Sequence, residues 1–337
     1  MRVLPLLTTT LLTVSGTAVL PRQNDPYVGY LLSTFTDADP SVSWYVSDAS
    51  DPLAFTPLNG GNPVLSSTVG TRAVRDIFLT SNEERSEYFL IATDLDINAA
   101  GFSWDEATRR GSQGLTIWRS ENLVDWSEPR LSIIESPSAG MAWAPSAIWD
   151  SASSEYHLFW ASRLYDSSDP THSGTASLDR IRHATTKDFT TFSDPADYVA
   201  LDAENIPLID QEFLPLGTGE GHYARFLKDE NVLHVYQETT TGGVFGEWTR
   251  SPSPGDSGYI ATSVFEGPAA FPDVSVAGRY YLLMDNYEEY VPFRTDDVAS
   301  GVWEELSGTA LPRGLKHGNV FLLRRGEYDA LLEKYGS

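Results

Sequence analysis

Five times along this chain a short opening strand of the same kind returns, and that repeat constrains the fold more than any other feature of the sequence. The openings read RDIFL from Arg75, WAPSAI from Trp143, IDQEFL from Ile209, EGPAAF from Glu266 and HGNVFL from His317. All but the last precede a near-continuous apolar strand, such as Tyr88–Thr93, Tyr156–Ala161 and Tyr280–Asp285, with the composition of strands buried on both faces. A third element also recurs, a strand followed by Ser or Thr, a polar turn and an aromatic. It covers Trp44–Phe55, Ile117–Trp126, Ile181–Phe192, a run from Val235 closing at Trp248, and Val291–Trp303. Copies roughly 55 to 70 residues apart imply five sheets of about four strands, an all-β five-bladed β-propeller. The last opening lacks following strands, so it must pair with the N-terminal strands at Tyr30–Leu32 and Val42–Tyr45 to close the ring. Only Glu327–Tyr335 reads as a helix, at the C-terminus.

The first 18 residues have the pattern of an export signal. Arg2 precedes an apolar stretch from Val3 to Val14, and Gly16, Thr17 and Ala18 offer a cleavage site. Residues 19–337 then form one catalytic propeller, since no Pro/Ser-rich linker divides them. The expectation is a secreted, extracellular monomer. The chain has no cysteine, and its length supports a core that needs no disulfides. With 47 acidic against 23 basic side chains, a net charge of −24 excludes nucleic acid and anionic membrane surfaces as partners. Aromatic residues make up 12 %, which suits the apolar faces of sugar rings and equally suits a large β core.

In a propeller the opening strands line the central channel in one direction, so equivalent positions gather at one mouth. The first two positions of the five openings hold Asp76, Asp210, Glu266 and His317, with Arg75 beside them. Three carboxylates from distant segments thus reach one cleft, at a cost in charge repulsion that fold stability does not require. Glycoside hydrolysis does require them. One carboxylic acid protonates the leaving oxygen, a carboxylate on the other face activates water, and a third tunes the acid. Metal binding by the same carboxylates and histidine is the competing chemistry. Taken singly, Asp76 could pair with Arg75 or Arg72, Asp210 could cap a turn, and His317 could be a bonded core histidine.

At these residues the chain resembles glycoside hydrolase family 43. The likeness runs from about Tyr27 to Leu332, through RDIFL at Arg75, the Tyr88–Leu95 strand, SENLVDW at Ser120, Trp143–Pro145, WASRLYD at Trp160 and Glu266–Pro268, ending at His317–Gly318. The resemblance implies Asp76 as general base, Asp210 as the carboxylate that tunes and orients the acid, and Glu266 as general acid, with inversion. It implies a substrate contact for Arg163, and Trp143 and His317 at the mouth are further candidates for substrate binding. His317 matches a channel histidine that in some members helps hold a calcium ion or a water, and no cofactor is required. The family's Asp-Pro appears here as Asp76-Ile77, Asp210 precedes Gln211, and Ser146 replaces a larger polar residue after Trp-Ala-Pro.

The resemblance makes plant cell-wall polysaccharide the expected substrate. α-L-arabinofuranose is the first sugar and β-D-xylose the second, with arabinanase action also open. The loops Ala99–Gln113 and Asp166–Asp179 decide between exo and endo action. Fructan-cleaving propellers are a rival, but their N-terminal Asn-Asp-Pro-Asn and Glu-Cys motifs do not occur in this sequence. A lectin that kept the propeller and lost turnover is the rival from another class.

Overall fold

A computed structural model describes residues 26–252, 257–308 and 311–336, so the expected export signal lies outside the described residues. Twenty strands form five antiparallel sheets of four. Blade I contains β1 to β3 (Tyr27–Thr34, Ser43–Asp48, Thr56–Pro57) together with the last strand, β20 (Asn319–Arg324), in the order β20-β1-β2-β3. Blade II is β4 to β7 (Val74–Ser81, Tyr88–Asp94, Gly114–Ser120, Arg130–Ile133) and blade III is β8 to β11 (Trp143–Asp150, Glu155–Ser162, Arg180–Thr186, Ala196–Val199). Blade IV is β12 to β15 (Leu208–Pro215, Tyr223–Asp229, His234–Thr240, Thr249–Arg250). Blade V is β16 to β19 (Glu266–Pro272, Tyr280–Asp285, Tyr290–Thr295, Glu304–Glu305). The expected five-bladed propeller is therefore the fold. The ring closes as expected, with Leu31 opposite Phe321 and Leu32 opposite Val320 across β1 and β20.

The apolar second strands are explained by how blades stack. Successive side chains on a strand point to opposite faces, and in a ring both faces meet another blade. On β5, Leu90 and Ala92 pack with Leu31, Trp44 and Val74 towards blade I. The alternate residues Phe89 and Ile91 pack with Ala147, Tyr156 and Leu158 towards blade III. Five such clusters fill the five interfaces, so the core is a ring of layers and not one central mass. Of the aromatics that end the strand-turn repeats, Phe55 and Trp303 are buried in them, and Trp126, Phe192 and Trp248 pack half-buried against them.

Two helices complete the described chain. The terminal helix α2 spans Arg325–Tyr335, starting two residues before the expected Glu327, because the Glu327 carboxylate accepts the Arg324 amide at 2.7 Å and starts the first turn. A second helix, α1 (Trp104–Arg110), lies in the Ala99–Gln113 loop, where its seven residues were too few for a periodic signal. Deleting the chain up to Pro57 would strip β20 of its partners and expose the clusters it shares with blades II and V. The truncated protein is expected to lose cooperative melting and to self-associate by size-exclusion chromatography. A monomer with an unchanged melting temperature would refute closure of the ring as a source of stability.

Candidate active site at the channel mouth

The mouth is built by one backbone device used four times. In blades II to V the ladder between the opening and second strands slips, between Arg75 and Phe78, Trp143 and Ser146, Ile209 and Glu212, and Glu266 and Ala269. At each slip one residue is left-handed: Asp76 at φ 52°, Ala144 at 49°, Asp210 at 52° and Gly267 at 55°. Such bulges bend the strand and re-aim side chains. A non-glycine residue held there costs roughly 1–3 kcal/mol, a strain typical of functional sites. The slip also corrects the alignment, because Asp76 and Asp210 share one position with Ala144 and Gly267. Glu266 shares the preceding position with Arg75 and Trp143. Glycine is required at 267, where an added Cβ would stand 2.7 Å from His317 Cβ.

The expected residues do come together. His317 Nδ1 lies 3.4 Å from Asp76 Oδ1 and 3.8 Å from Asp210 Oδ1, close enough for charge pairing although neither is an aligned hydrogen bond. Asp76 Oδ2 accepts from the Thr93 hydroxyl at 2.7 Å, and that hydroxyl accepts from the Ala144 amide at 2.8 Å. Asp210 Oδ2 accepts the Gly267 amide at 3.0 Å, which ties the second carboxylate to the residue after Glu266. Glu266 Oε2 is paired with Lys228 Nζ at 2.7 Å, and Lys228 also lies 2.6 Å from Glu230. Arg75 does not neutralise Asp76 by direct pairing; its ion pair is with Asp37 at 2.5 Å, and it lies over the Phe35 ring.

Charge and burial separate the groups. Burial alone would raise the Asp76 carboxyl, but the close approach and charge of His317, the charge of Arg75 and the Thr93 hydroxyl hold it below its ordinary range. Asp210 goes the other way. Burial pushes it up to about 7, with Glu266 and Asp76 adding to the rise and His317 and Lys228 opposing it. Burial would lower His317, yet Asp210, Asp76 and Glu212 together push it up to about 9, which favours the charged ring. Asp285 is pushed up to about 6 by burial and by Glu266, against Lys316. The site thus holds one firmly ionised carboxylate beside another that carries a proton into the neutral range, the separation acid/base chemistry uses.

The other expected residues are placed differently. Trp143 is half-buried at the head of β8, one residue before the Ala144 amide that reaches Thr93. Arg163 donates from Nε and Nη2 to Asp179 at 2.7 Å each and from Nη1 to Thr108 at 3.4 Å, so it braces the wall of the mouth. Ser146 is buried below the carboxylates and meets Gln211 at 3.4 Å. Glu212 also lies deeper in the channel; burial pushes its carboxyl well above the ordinary value, and it lines a cavity of about 310 Å³ at the far end. That cavity is not the site, because the carboxylates stand at the opposite end of the same strands. Among the described residues no group of three or more His, Asp or Glu side chains is spaced to hold a metal ion. No step is therefore assigned to a calcium ion bound directly by these side chains.

Sequence reading missed Thr93, Lys228, Asp285 and Tyr287. The signal was present in the register: each second strand returns to the mouth, so Thr93 faces Arg75, Lys228 faces Ile209 and Asp285 faces Glu266. Tyr287 follows β17 with φ 73°, its amide bonded to Asp285 at 2.7 Å and its carbonyl to Lys316 Nζ at 2.5 Å, and Lys228 Nζ lies 5.4 Å from its ring centre.

Residues 25–329 match the family described as "Probable glycosyl hydrolase domain", a family 43-related group. An α-L-arabinofuranosidase of Bifidobacterium longum subsp. longum is 30 % identical over 317 residues, covering 83 % of this chain and 29 % of that protein, so the chain spans under a third of that relative's length. Among solved structures, an exo-β-1,3-galactanase from Clostridium thermocellum aligns with TM-score 0.48 at 13 % identity, over 74 % of this chain and 50 % of the other. The catalytic domain of a Coprinopsis cinerea family 62 α-L-arabinofuranosidase aligns with TM-score 0.47 at 13 % identity, over 74 % and 73 %. With the match spanning nearly all of the described propeller, the chain belongs to the family 43-related glycosyl hydrolases.

Proposed function

We propose that this protein is a secreted glycosidase that cleaves O-glycosidic bonds in plant cell-wall polysaccharide and releases α-L-arabinofuranose with inversion. The observation that carries this reading is the convergence of Asp76, Asp210 and Glu266 on one mouth, with the Asp76 and Asp210 carboxyls driven in opposite directions. Asp76, kept ionised by His317 and Thr93, serves as the base that takes a proton from the attacking water. Glu266 delivers a proton to the departing oxygen. Asp210, bonded to the Gly267 amide beside Glu266, holds a proton in reserve and sets the charge Glu266 experiences. In the free protein Lys228 occupies Glu266 Oε2, so a bound leaving oxygen must take that place for the proton to pass. His317 neutralises the repulsion between Asp76 and Asp210. The sugar follows the Bifidobacterium relative's name, and export follows the N-terminal pattern.

Inverting sites keep base and acid carboxyls roughly 6.5–9.5 Å apart, which leaves room for a water. The first product formed from an aryl α-L-arabinofuranoside is expected to have the β configuration, read by proton NMR before mutarotation. A first product with the substrate's own configuration would overturn the roles given to Asp76 and Glu266.

A further inference from the structure

Among the described residues, few large aromatic side chains face solvent, and Trp104 is one of them, with 54 % of its surface exposed. A Trp at the first position of a seven-residue helix contributes little to the fold from there, since neither helix propensity nor core packing calls for it. Its neighbours explain its place. Trp104 meets Trp143 edge-on at 6.0 Å between ring centres and Phe102 at 4.9 Å. Trp143 in turn adjoins the Ala144 amide that bonds Thr93, whose hydroxyl bonds Asp76. The exposed ring is therefore one aromatic neighbour away from the wall of the carboxylate mouth.

The ring is also held still. Helix α1 belongs to the loop between β5 and β6, on the same end of the propeller as the carboxylates, because second strands run towards the mouth. It is clamped to the loop between β9 and β10. Arg109 Nη1 donates to the His172 carbonyl at 2.8 Å and Arg110 Nη1 donates to the Thr171 carbonyl at 2.8 Å, while the Gly111 amide, just past the helix, ties it to the β7–β8 connection through the Gly140 carbonyl at 2.8 Å. His172 bonds the Arg109 carbonyl at 2.6 Å through Nδ1 and stacks on Tyr165 at 4.3 Å. The two loops that the sequence marks as deciding exo or endo action are thus one interlocked wall. A rigid wall carrying an exposed indole loses little freedom when a ring stacks on it.

We propose that Trp104 is a stacking platform for a sugar unit of the substrate chain beyond the one whose bond is cleaved. The proposal rests on the glycosidase reading and names its substrate as an oligomer or polymer of neutral sugars, not a lone glycoside. Indole offers a flat apolar face that matches the C–H face of a sugar ring, and it needs no charge from a neutral ligand.

The test compares Trp104→Ala, Trp104→Phe and the unaltered protein on 4-nitrophenyl α-L-arabinofuranoside and on arabino-oligosaccharides of two to six units. If the unaltered protein turns over neither, the arabinofuranosidase reading itself fails, and the platform for arabinose-containing chains falls with it. Where it does turn over substrate, Trp104→Ala is expected to lose roughly 10-fold more kcat/KM on the longer oligosaccharides than on the aryl glycoside. The loss should be carried by KM and grow with chain length, and Trp104→Phe should recover part of it. Equal losses on all substrates, or none on any, would overturn the platform while leaving the glycosidase reading standing. Far-ultraviolet circular dichroism of each variant establishes that α1 and the blades remain folded.

Discussion

Glu266→Ala is expected to lose roughly 10²–10⁴-fold in rate on polysaccharide while keeping much of its rate on a 2,4-dinitrophenyl glycoside. General acid catalysis is worth about that factor when the departing oxygen is a basic alkoxide. Dinitrophenolate leaves without a proton, so the missing acid matters little there. Asp76→Ala should fail on both substrates, because water needs a base whichever group departs. Azide, which needs no deprotonation, is expected to restore turnover to Asp76→Ala. The two variants together separate acid from base without relying on absolute rates. If Glu266→Ala loses the same factor on good and poor leaving groups, with its circular dichroism unchanged, the acid is another group. Glu212 is the next carboxylate on the channel, but its buried place below the mouth gives a substrate little access.

Asp210→Asn should make the protein more stable and much less active, with the stability gain developing across one pH window and persisting above it. The aspartate's carboxyl stands at about 7 in the fold against an ordinary value of 3.8. Below 3.8 both folded and unfolded chains hold the proton. Between there and about 7 the unfolded chain releases it while the folded chain keeps it, so rising pH favours unfolding. Above about 7 both are ionised and the loss is complete. Asparagine does not titrate and can still accept the Gly267 amide. The melting temperatures of the two proteins should therefore nearly coincide at pH 4 and separate progressively up to pH 7.5, with Asp210→Asn the higher. The gap corresponds to on the order of 1–4 kcal/mol. Activity on natural substrate should fall by roughly 10²-fold or more, with the basic limb of the pH–rate profile displaced. A difference in melting temperature that stays constant from pH 4 to 7.5 would show that Asp210 does not hold its proton into the neutral range.

The strain at the mouth fits the same trade. Asp76, Ala144 and Asp210 are all left-handed, and Tyr287 adds a bulky residue at φ 73° beside Lys228. Each would be more stable as glycine in isolation. They are held in place by the blades around them, and the bulge is what turns the two aspartates out of the ladder towards a ligand.

The repeat alone determined the five blades, the closure of the ring by residues near Tyr30 and Val42, and the arrival of Asp76, Asp210, Glu266 and His317 at one mouth. It could do so because a propeller converts equal positions along the chain into equal positions around an axis, and two-sided burial leaves a clear apolar signature in each second strand. The charge state of each group was decided only by tertiary structure. Asp76 and Asp210 occupy the same repeat position and share the same backbone conformation, yet one is pulled down by His317, Arg75 and Thr93 and the other pushed up beside Glu266. Those differences arise from neighbours on other strands and from burial, which depend on distance in space and leave no periodic mark on the chain. The same holds for the aromatic wall: Trp104 sits in an irregular insertion outside the repeat, and it comes beside Trp143 through contacts between distant segments, such as the Ala142 amide on the Ser112 carbonyl at 2.9 Å.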